Sequence, residues 1–220
     1  MDPKELIARR VAAEIKPKTL VNLGIGIPTL VSDHLREDLG VFFQAENGVV
    51  GMGHRPPEGM TDRHLTDAGG AFVSAVPGAA TCDSAISFGL IRGGHLDVTV
   101  LGALQVDEAG QLANWTIPGQ FTPGMGGAMD LVTGAKKVII AMRHTAKGAP
   151  KIVPVCTLPL TSQRRVDLIV TEMAVIKPCD DGLHLLERAP NVSVDSILAA
   201  TEAKLIYSGD VPEMDLSGSI

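Results

Sequence analysis

The sequence predicts an α/β domain with an open, mostly parallel sheet flanked by helices. Short apolar runs typical of strands alternate with runs of helical spacing through most of the 220 residues. Many of the 24 glycines sit in short clusters, which suggests tight turns and places where the backbone approaches a ligand. A hairpin-like stretch over 105–115 adds some antiparallel pairing. We therefore expect one domain over 1–209, followed by a mobile tail over 210–220.

The predicted elements are short and closely spaced. Apolar residues at helical spacing predict a first helix over 4–15, which ends before Pro17. A buried strand over 19–23 runs into a turn over 24–28, and Pro28 suits the first turn of a helix over 29–39. Further helices are predicted over 84–91, 128–133 and 194–201, and further strands over 41–45, 49–53, 71–76, 96–101, 137–142, 151–155, 167–176 and 182–187.

The composition argues against several classes of protein. A net charge of −6, the lack of a strongly basic stretch, one Trp and one Tyr argue against nucleic-acid binding. The sequence contains no run of about 18 apolar residues, so we expect no membrane span, and its first residues contain no apolar signal core. The three cysteines form no C-x-x-C pair and the histidines are scattered, so we expect no disulfide framework and no metal. A reducing cytoplasm is the expected compartment.

Glu46 is the first candidate for a reactive side chain. It follows the predicted strand over 41–45 and enters an Asn47-Gly48 turn, so its carboxylate would project from the carboxyl edge of the sheet. A carboxylate held in a restricted site can act as a covalent nucleophile. Position alone favours the alternative, a solvated turn residue, because glutamates are mostly exposed.

Two glycine clusters are candidate ligand-binding turns. Gly124, Gly126 and Gly127 precede a predicted helix and can present N–H donors to a developing oxyanion. From spacing alone, a helix-entry loop that needs positive φ explains them equally well. The second cluster, Gly24 and Gly26, can hold a phosphate or an amide of a ligand, although spacing alone favours a purely structural turn.

Six segments carry a resemblance to a known family. They are VNLGIGIPT at 21–29, ENGVVGMG at 46–53, IRGGH at 91–95, LANW at 112–115, GMGGAMDL at 124–131 and CTLPLT at 156–161. Each segment is weak alone, but all six in this order and spacing are highly specific. Over about residues 7–176 the chain resembles the β subunits of 3-oxoacid CoA-transferases, members of the family I CoA-transferases. The resemblance implies their fold, an open α/β sheet that ribose-5-phosphate isomerases share.

The resemblance also implies a catalytic set. In the family, the Glu of the Glu-Asn-Gly turn is the nucleophile, which here is Glu46, and the second Gly of the Gly-Gly pair, here Gly127, donates an N–H to the oxyanion. Gly126 is expected to assist. We further expect substrate or coenzyme A to contact Gly24, Gly26, Asn47, Gly48 and Met125. One departure from the family pattern is Ala45, where Ser is common, so any hydrogen bond from that hydroxyl is absent.

The reaction implied by the resemblance is transfer of coenzyme A with ping-pong kinetics through a glutamyl-CoA thioester. A coenzyme A thioester is then a substrate, and no permanently bound cofactor is expected. Family members either fuse two related halves or assemble separate α and β subunits. For this half we therefore expect a heteromer with an α subunit, of the α2β2 type, that acts on acyl-CoA and short-chain carboxylates. The segment over 124–142 is most similar to acetoacetate transferases that use acetate or butyrate, with succinyl-CoA and 3-oxoadipate enzymes as near relatives.

Three alternatives stay open on the sequence. The same glutamate would hydrolyse acyl-CoA if water reached the covalent intermediate. The chain could instead be a non-catalytic ligand-binding module on this fold. A sugar-phosphate isomerase on the shared fold is the third alternative, and the Glu-Asn-Gly turn argues against it.

Overall fold

The computed structural model of the chain describes residues 1–122 and 124–216. Its α-helices are α1 (Pro3–Ala12), α2 (Ser84–Arg92), α3 (Ala128–Gly134) and α4 (Val194–Ala199), with 3-10 helices at Ile27–His34 and Glu37–Leu39. Its strands are β1 (Leu20–Leu23), β2 (Phe42–Ala45), β3 (Val49–Met52), β4 (Ala75–Thr81), β5 (Val98–Leu101), β6 (Gln105–Asp107), β7 (Leu112–Ala113), β8 (Lys137–Ala141), β9 (Thr145–Ala146), β10 (Ala149–Pro150), β11 (Ile152–Val153), β12 (Leu168–Val170), β13 (Ala174–Cys179), β14 (Gly182–Arg188) and β15 (Leu205–Ile206).

Ten of these strands form one sheet in the order β15-β14-β13-β12-β8-β5-β1-β2-β3-β4. The five central strands, β12, β8, β5, β1 and β2, are all parallel to their neighbours within that set. Antiparallel pairs flank them, β13 and β14 on one side and β3 and β4 on the other. The predicted open, mostly parallel α/β sheet flanked by helices is therefore confirmed, and its central strands end at one edge.

Helices cover both faces of the sheet. Along β8 the side chains alternate, so that Val138 and Ile140 join one buried cluster while Ile139 and Ala141 join the other. Residues of α2, α3 and α4 belong to the first cluster, and residues of α1 and of Ile27–His34 belong to the second. Burial on both faces explains why the central strands are almost continuously apolar.

A turn without a sequence signal divides one predicted strand. The region over 167–176 forms two antiparallel strands, β12 and β13, rather than one. Thr171 makes the turn, because its N–H donates to Ala174 O at 2.9 Å and its Oγ1 accepts from the Met173 and Ala174 N–H groups. Thr171 and Ala174 are fully buried, and the turn between them contains neither glycine nor proline to mark it in the sequence.

Two other predicted elements differ from the structure. The strand predicted over 71–76 lies at Ala75–Thr81 and includes Pro77 and Gly78. It is an edge strand, where a proline removes no ladder hydrogen bond. The helix predicted over 29–39 is two 3-10 helices, separated where Leu35 becomes extended at φ −100° and ψ 135°.

Residues 210–216, the first part of the predicted tail, pack against the domain in the structure, and the mobility of the tail stays a prediction. Val211 and Met214 are buried, and the main chain of Arg188 bonds to this segment twice, through Pro212 O at 2.9 Å and the Met214 N–H at 2.8 Å. Two apolar residues three apart are enough to hold so short a segment once the backbone bonds form. Residues 217–220, the rest of that prediction, lie outside the described part of the chain. No helix in the described part has the length and apolarity needed to cross a bilayer.

A buried histidine gives the fold a pH dependence. His144 is fully buried between the hydroxyls of Thr171 and Thr201, each 2.9 Å from a ring nitrogen, and burial lowers its pKa to about 4. An unfolded histidine binds a proton near pH 6.5, which the folded one does not, so stability should fall as pH drops from 6.5 towards 4. This group should contribute about 3 kcal/mol to the loss. Denaturation midpoints of the purified protein between pH 7 and 4 would measure it.

His64 is the matched control for His144, because it is exposed and in a loop. His144→Gln should flatten the dependence of stability on pH between pH 7 and 4. His64→Gln should leave that dependence as steep as in the unsubstituted protein. An equal slope in both variants would rule out the burial of His144 as its cause.

Candidate active site

Glu46 stands at the carboxyl end of β2, in the turn that leads into β3. The Gly48 N–H closes the turn on Ala45 O at 2.9 Å, and the Cys82 N–H bonds to Gly48 O at 2.8 Å. Gly48 has φ +123°, a backbone conformation that residues other than glycine rarely adopt. The backbone on both sides of Glu46 is therefore fixed, while its side chain is half-buried.

A buried polar network holds the Glu46 carboxylate. Asn22 Nδ2 lies 3.0 Å from Glu46 Oε2, 3.0 Å from Gln44 O and 3.1 Å from Gln44 Oε1, so two amide hydrogens serve three acceptors. Gln44 in turn donates to Ser87 Oγ at 2.8 Å, and Thr99 Oγ1 donates to Asn22 Oδ1 at 3.4 Å. The four supporting side chains are almost fully buried, which fixes their geometry and hence the position of Oε2.

Gly127 faces the other side of the Glu46 side chain. A Cβ placed on Gly127 would lie 3.2 Å from Glu46 Cγ, 3.4 Å from Glu46 Oε1 and 3.2 Å from Phe88 Cζ. Oε1 makes no hydrogen bond to any of the described residues, whereas Oε2 is held by Asn22. The absence of a side chain at Gly127 thus lets its backbone approach the free carboxylate oxygen.

Glu46 opens into a cavity of about 740 Å³ at the carboxyl edge of the sheet. Of the residues predicted to form the site, Gly24, Met125, Gly126 and Gly127 line the same cavity. Gly24 is packed against β5, because its N–H donates to Val100 O at 2.8 Å. The fold therefore brings five of the eight predicted residues together, although their roles in catalysis stay predictions.

The other three predicted residues do not line the cavity. Gly26 has φ +95° and starts the 3-10 helix Ile27–His34. Asn47 is exposed, and its Nδ2 donates to Thr66 O at 2.8 Å, so its side chain anchors a neighbouring loop. Gly48 is buried in the turn itself. The structure thus gives Asn47 and Gly48 contacts that shape the Glu46 turn, and their contact with substrate stays a prediction.

Sequence reasoning did not assign Asn22, Gln44 or Ser87 to the site. The available signal was a polar residue within each of two apolar strands, at Asn22 of β1 and Gln44 of β2. Buried amides need partners, so such residues indicate a polar network when their strands are adjacent. The parallel register pairs Asn22 with Gln44, and this pairing brings Asn22 to Glu46.

None of the three cysteines, all within the described residues, lines this cavity. Burial raises the pKa of Cys156, part of the sixth resembling segment, to about 12, so this thiol stays protonated near neutrality. Cys179, Asp181 and His184 meet at the β13–β14 turn, with one potential ligand atom from each within 4.8 Å of the others. The sequence predicted no metal site, and antiparallel pairing brings these three residues together.

The arrangement around Glu46 suits acyl transfer. One carboxylate oxygen is fixed by an amide, the other is free to attack, and a glycine backbone lies beside it. A nucleophilic carboxylate needs a restrained position, and a nearby backbone N–H can stabilise the oxyanion that its attack creates.

Comparisons with known proteins point to the same chemistry. A family model described as Coenzyme A transferase matches residues 4–200. The beta subunit of the acetate CoA-transferase of Haemophilus influenzae is 50% identical over 218 residues, which cover 99% of this chain and 97% of that protein. One subunit of the succinyl-CoA:3-ketoacid coenzyme A transferase of Helicobacter pylori is 45% identical over 202 residues, covering 91% of this chain and 97% of that one.

A solved structure agrees with the sequence relatives. An acyl-CoA transferase of Escherichia coli O157:H7 (YdiF) has a TM-score of 0.79 and 27% identity, and the match covers 98% of this chain. This chain spans only 44% of that longer one. A family model that matches most of the sequence and a relative identical at half of its positions show that the chain belongs to the coenzyme A transferase family.

Proposed function

We propose that this chain is the glutamate-bearing β subunit of a heteromeric transferase. The enzyme moves coenzyme A between an acyl-CoA and a short-chain carboxylate or 3-oxoacid, through a glutamyl-CoA thioester on Glu46. The observation that carries the proposal is the Glu46 carboxylate, held by Asn22 on Oε2 and free on Oε1, inside a cavity beside Gly127.

The first half-reaction begins when Glu46 Oε1 attacks the thioester carbonyl carbon of the acyl-CoA. The tetrahedral intermediate expels the coenzyme A thiolate and leaves a mixed anhydride between the acyl group and Glu46. The thiolate then attacks the Glu46 carbonyl carbon, which releases the acyl group as a free carboxylate and leaves glutamyl-CoA thioester. A second carboxylate repeats these steps in reverse, so Glu46 is regenerated and no ATP is used.

Backbone donors at Gly126 and Gly127 would stabilise the oxyanion of each tetrahedral intermediate. Gly127 supports this role because its main chain lies directly against the Glu46 side chain. One donor of this kind contributes roughly 3–4 kcal/mol to the stability of a transition state. Gly126, at φ +57°, supports the backbone path that brings Gly127 there.

An α subunit would complete the cavity and exclude water. The two sequence relatives described above are each one subunit of their enzyme, which supports a partner chain. Large apolar side chains at the cavity remain uncovered in this chain, with Ile25 75% and Phe72 41% exposed. A covered cavity is what the chemistry needs, because water would hydrolyse the anhydride. We infer an α2β2 assembly that acts on acetoacetate with acetate, butyrate or succinate, and the 3-oxoadipate reaction is the nearest alternative.

Trapping the covalent intermediate tests the proposal. The chain, co-expressed with its α subunit, would be incubated with acetoacetyl-CoA and treated with borohydride, which reduces a thioester to an alcohol. Mass spectrometry should find the reduced side chain at Glu46, and a sample without acetoacetyl-CoA should lack it. A label on another residue would reject the proposal. Release of free coenzyme A faster than its transfer to acetate would favour hydrolysis instead.

A further inference from the structure

Two arginines have no acidic partner among the described residues. Of the ten arginines, all within the described residues, eight form ion pairs with aspartate or glutamate side chains. The exceptions are Arg55 and Arg63, and both belong to the cleft loop, which we define as residues 53–74 between β3 and β4. An arginine left unpaired on a chain that otherwise pairs its arginines is a candidate for binding an anionic ligand.

The cleft loop places the two arginines differently. Arg55 lines the cavity that contains Glu46, whereas Arg63 does not. Both side chains are exposed, so exposure alone does not distinguish them. The chain therefore offers an internal comparison: two unpaired arginines on one loop, of which only one faces the proposed site.

Backbone bonds anchor the residues directly before Arg55. At the base of the cleft loop, the Gly53 N–H donates to Ser74 O at 2.8 Å and the Ser74 N–H donates to His54 O at 2.9 Å. Further along, Asn47 beside the nucleophile donates to Thr66 O at 2.8 Å. Arg55 thus directly follows an anchored residue, and the loop that carries it is tied to the Glu46 turn.

The acidic side chains of the cavity indicate what a positively charged residue there would do for an anionic ligand. Its acidic side chains are Asp33, Glu46 and Asp67, and Arg55 is the one lysine or arginine among the described residues that line it. Among the described residues Asp67 forms no ion pair with Arg55, and its Oδ1 accepts the Gly69 and Ala71 N–H groups at 2.8 Å. A carboxylate or phosphate entering the cavity is repelled by these acids. A guanidinium offsets the repulsion and matches either group with a planar pair of N–H donors.

We propose that Arg55 is an anion-binding residue of the Glu46 cavity, which holds a carboxylate or phosphate group of a substrate. The inference rests on the proposed function, because that function supplies two anionic ligands, the acid and coenzyme A. Arg55 acts in binding and in offsetting charge, and it takes no part in the covalent steps.

The test compares Arg55→Ala, Arg55→Lys and the control Arg63→Ala in the co-expressed α/β complex. Acetate would be varied at saturating acetoacetyl-CoA, and acetoacetyl-CoA at saturating acetate. Arg55→Ala should raise one of the two KM values about tenfold, equivalent to about 1.4 kcal/mol, with little change in kcat. Arg55→Lys keeps the charge but loses the planar pair of N–H donors, so its KM should lie between those of Arg55→Ala and the unsubstituted complex. Arg63→Ala should match the unsubstituted complex.

Two arms of the experiment identify the anion. A raised KM for acetate alone assigns Arg55 to the substrate carboxylate. A raised KM for acetoacetyl-CoA assigns it to the phosphates of coenzyme A, provided that acetoacetyl-pantetheine, which lacks the nucleotide phosphates, shows the same KM in Arg55→Ala and the unsubstituted complex. Higher salt should reduce either effect.

A direct binding measurement separates failure of this inference from failure of the proposed function. Isothermal titration of coenzyme A and of acetate into the complex needs no turnover, so it tests Arg55 even if no glutamyl-CoA forms. Weaker binding of either ligand to Arg55→Ala than to Arg63→Ala supports the inference. Equal affinities and equal KM values in the two variants would overturn it, and Arg55 would then be a solvated surface residue.

Discussion

Replacing Glu46 with glutamine is expected to lower the rate of coenzyme A transfer by about a thousandfold or more. Glutamine has the shape of glutamate and can still accept the hydrogen bond from Asn22, so the turn and the polar network should keep their structure. It has no free anionic oxygen, however, and cannot form the anhydride. The loss should therefore appear in kcat, measured with acetoacetyl-CoA and acetate in the co-expressed α/β complex.

Asp33→Asn is the matched control, because Asp33 is another acidic side chain lining the same cavity. It removes one negative charge from the cavity without touching the nucleophile, so kcat should change little. If Glu46→Gln retained the kcat of Asp33→Asn, a carboxylate at position 46 would not be the nucleophile. The family fold would then serve a different chemistry in this chain.

Asn22→Ala should lower kcat by less than Glu46→Gln does and by more than Asp33→Asn does. It leaves Glu46 in place but removes the donor to Oε2, and a hydrogen bond to a charged group is worth about 1.5–3 kcal/mol, roughly ten- to hundredfold in rate. Because Asn22 acts through Glu46 and does not reach the cavity lining, kcat should fall more than KM rises. This split distinguishes a positioning residue from one that binds substrate.

The main features of the fold could be predicted because they depend on local patterns. Alternating strand and helix runs indicated the parallel sheet, and apolar spacing located α1, α2 and α3 to within a few residues. The strand order could not be predicted, because it depends on contacts between distant segments, such as β1 between β2 and β5. The turn at Thr171 was missed for a related reason. Its hydrogen bonds come from a side chain and backbone within a segment that contains no glycine or proline.

The candidate site was predictable in part for the same physical reasons. A glutamate at a strand end before Asn-Gly indicated a projecting carboxylate, but only the resemblance to a family raised it above a solvated turn residue. Its surroundings depend on tertiary structure. Asn22 reaches Glu46 through the register of β1 and β2, and Gly127 reaches it from a loop some eighty positions away along the chain. Arg55 could be distinguished from Arg63 only once the cavity was known.

Replacing Gly48 with alanine should destabilise the protein more than any other single-methyl addition near Glu46. A Cβ at Gly48 would lie 2.0 Å from Cys82 O, and φ is +123°, so the new methyl meets backbone that cannot rotate away. The conformational strain costs about 1–2 kcal/mol and forced packing about 1–3 kcal/mol more. We expect a loss of about 3 kcal/mol, which for a chain of this length lowers the melting temperature by roughly 6–12 °C.

Gly59→Ala separates the conformational strain from the packing clash. Gly59 also has positive φ, +82°, but a Cβ there would meet no atom within 4 Å. It should show only the conformational term and lower the melting temperature by a few degrees. The Cys82 N–H bonds to Gly48 O, so relief of the clash must shift the turn that carries Glu46. Gly48→Ala should therefore also lose most of its transferase activity at a temperature where it remains folded, while Gly59→Ala keeps its activity. Equal melting temperatures for the two variants would show that the Glu46 turn can move away from Cys82 at little cost, and the rigid placement of the carboxylate would have to be abandoned.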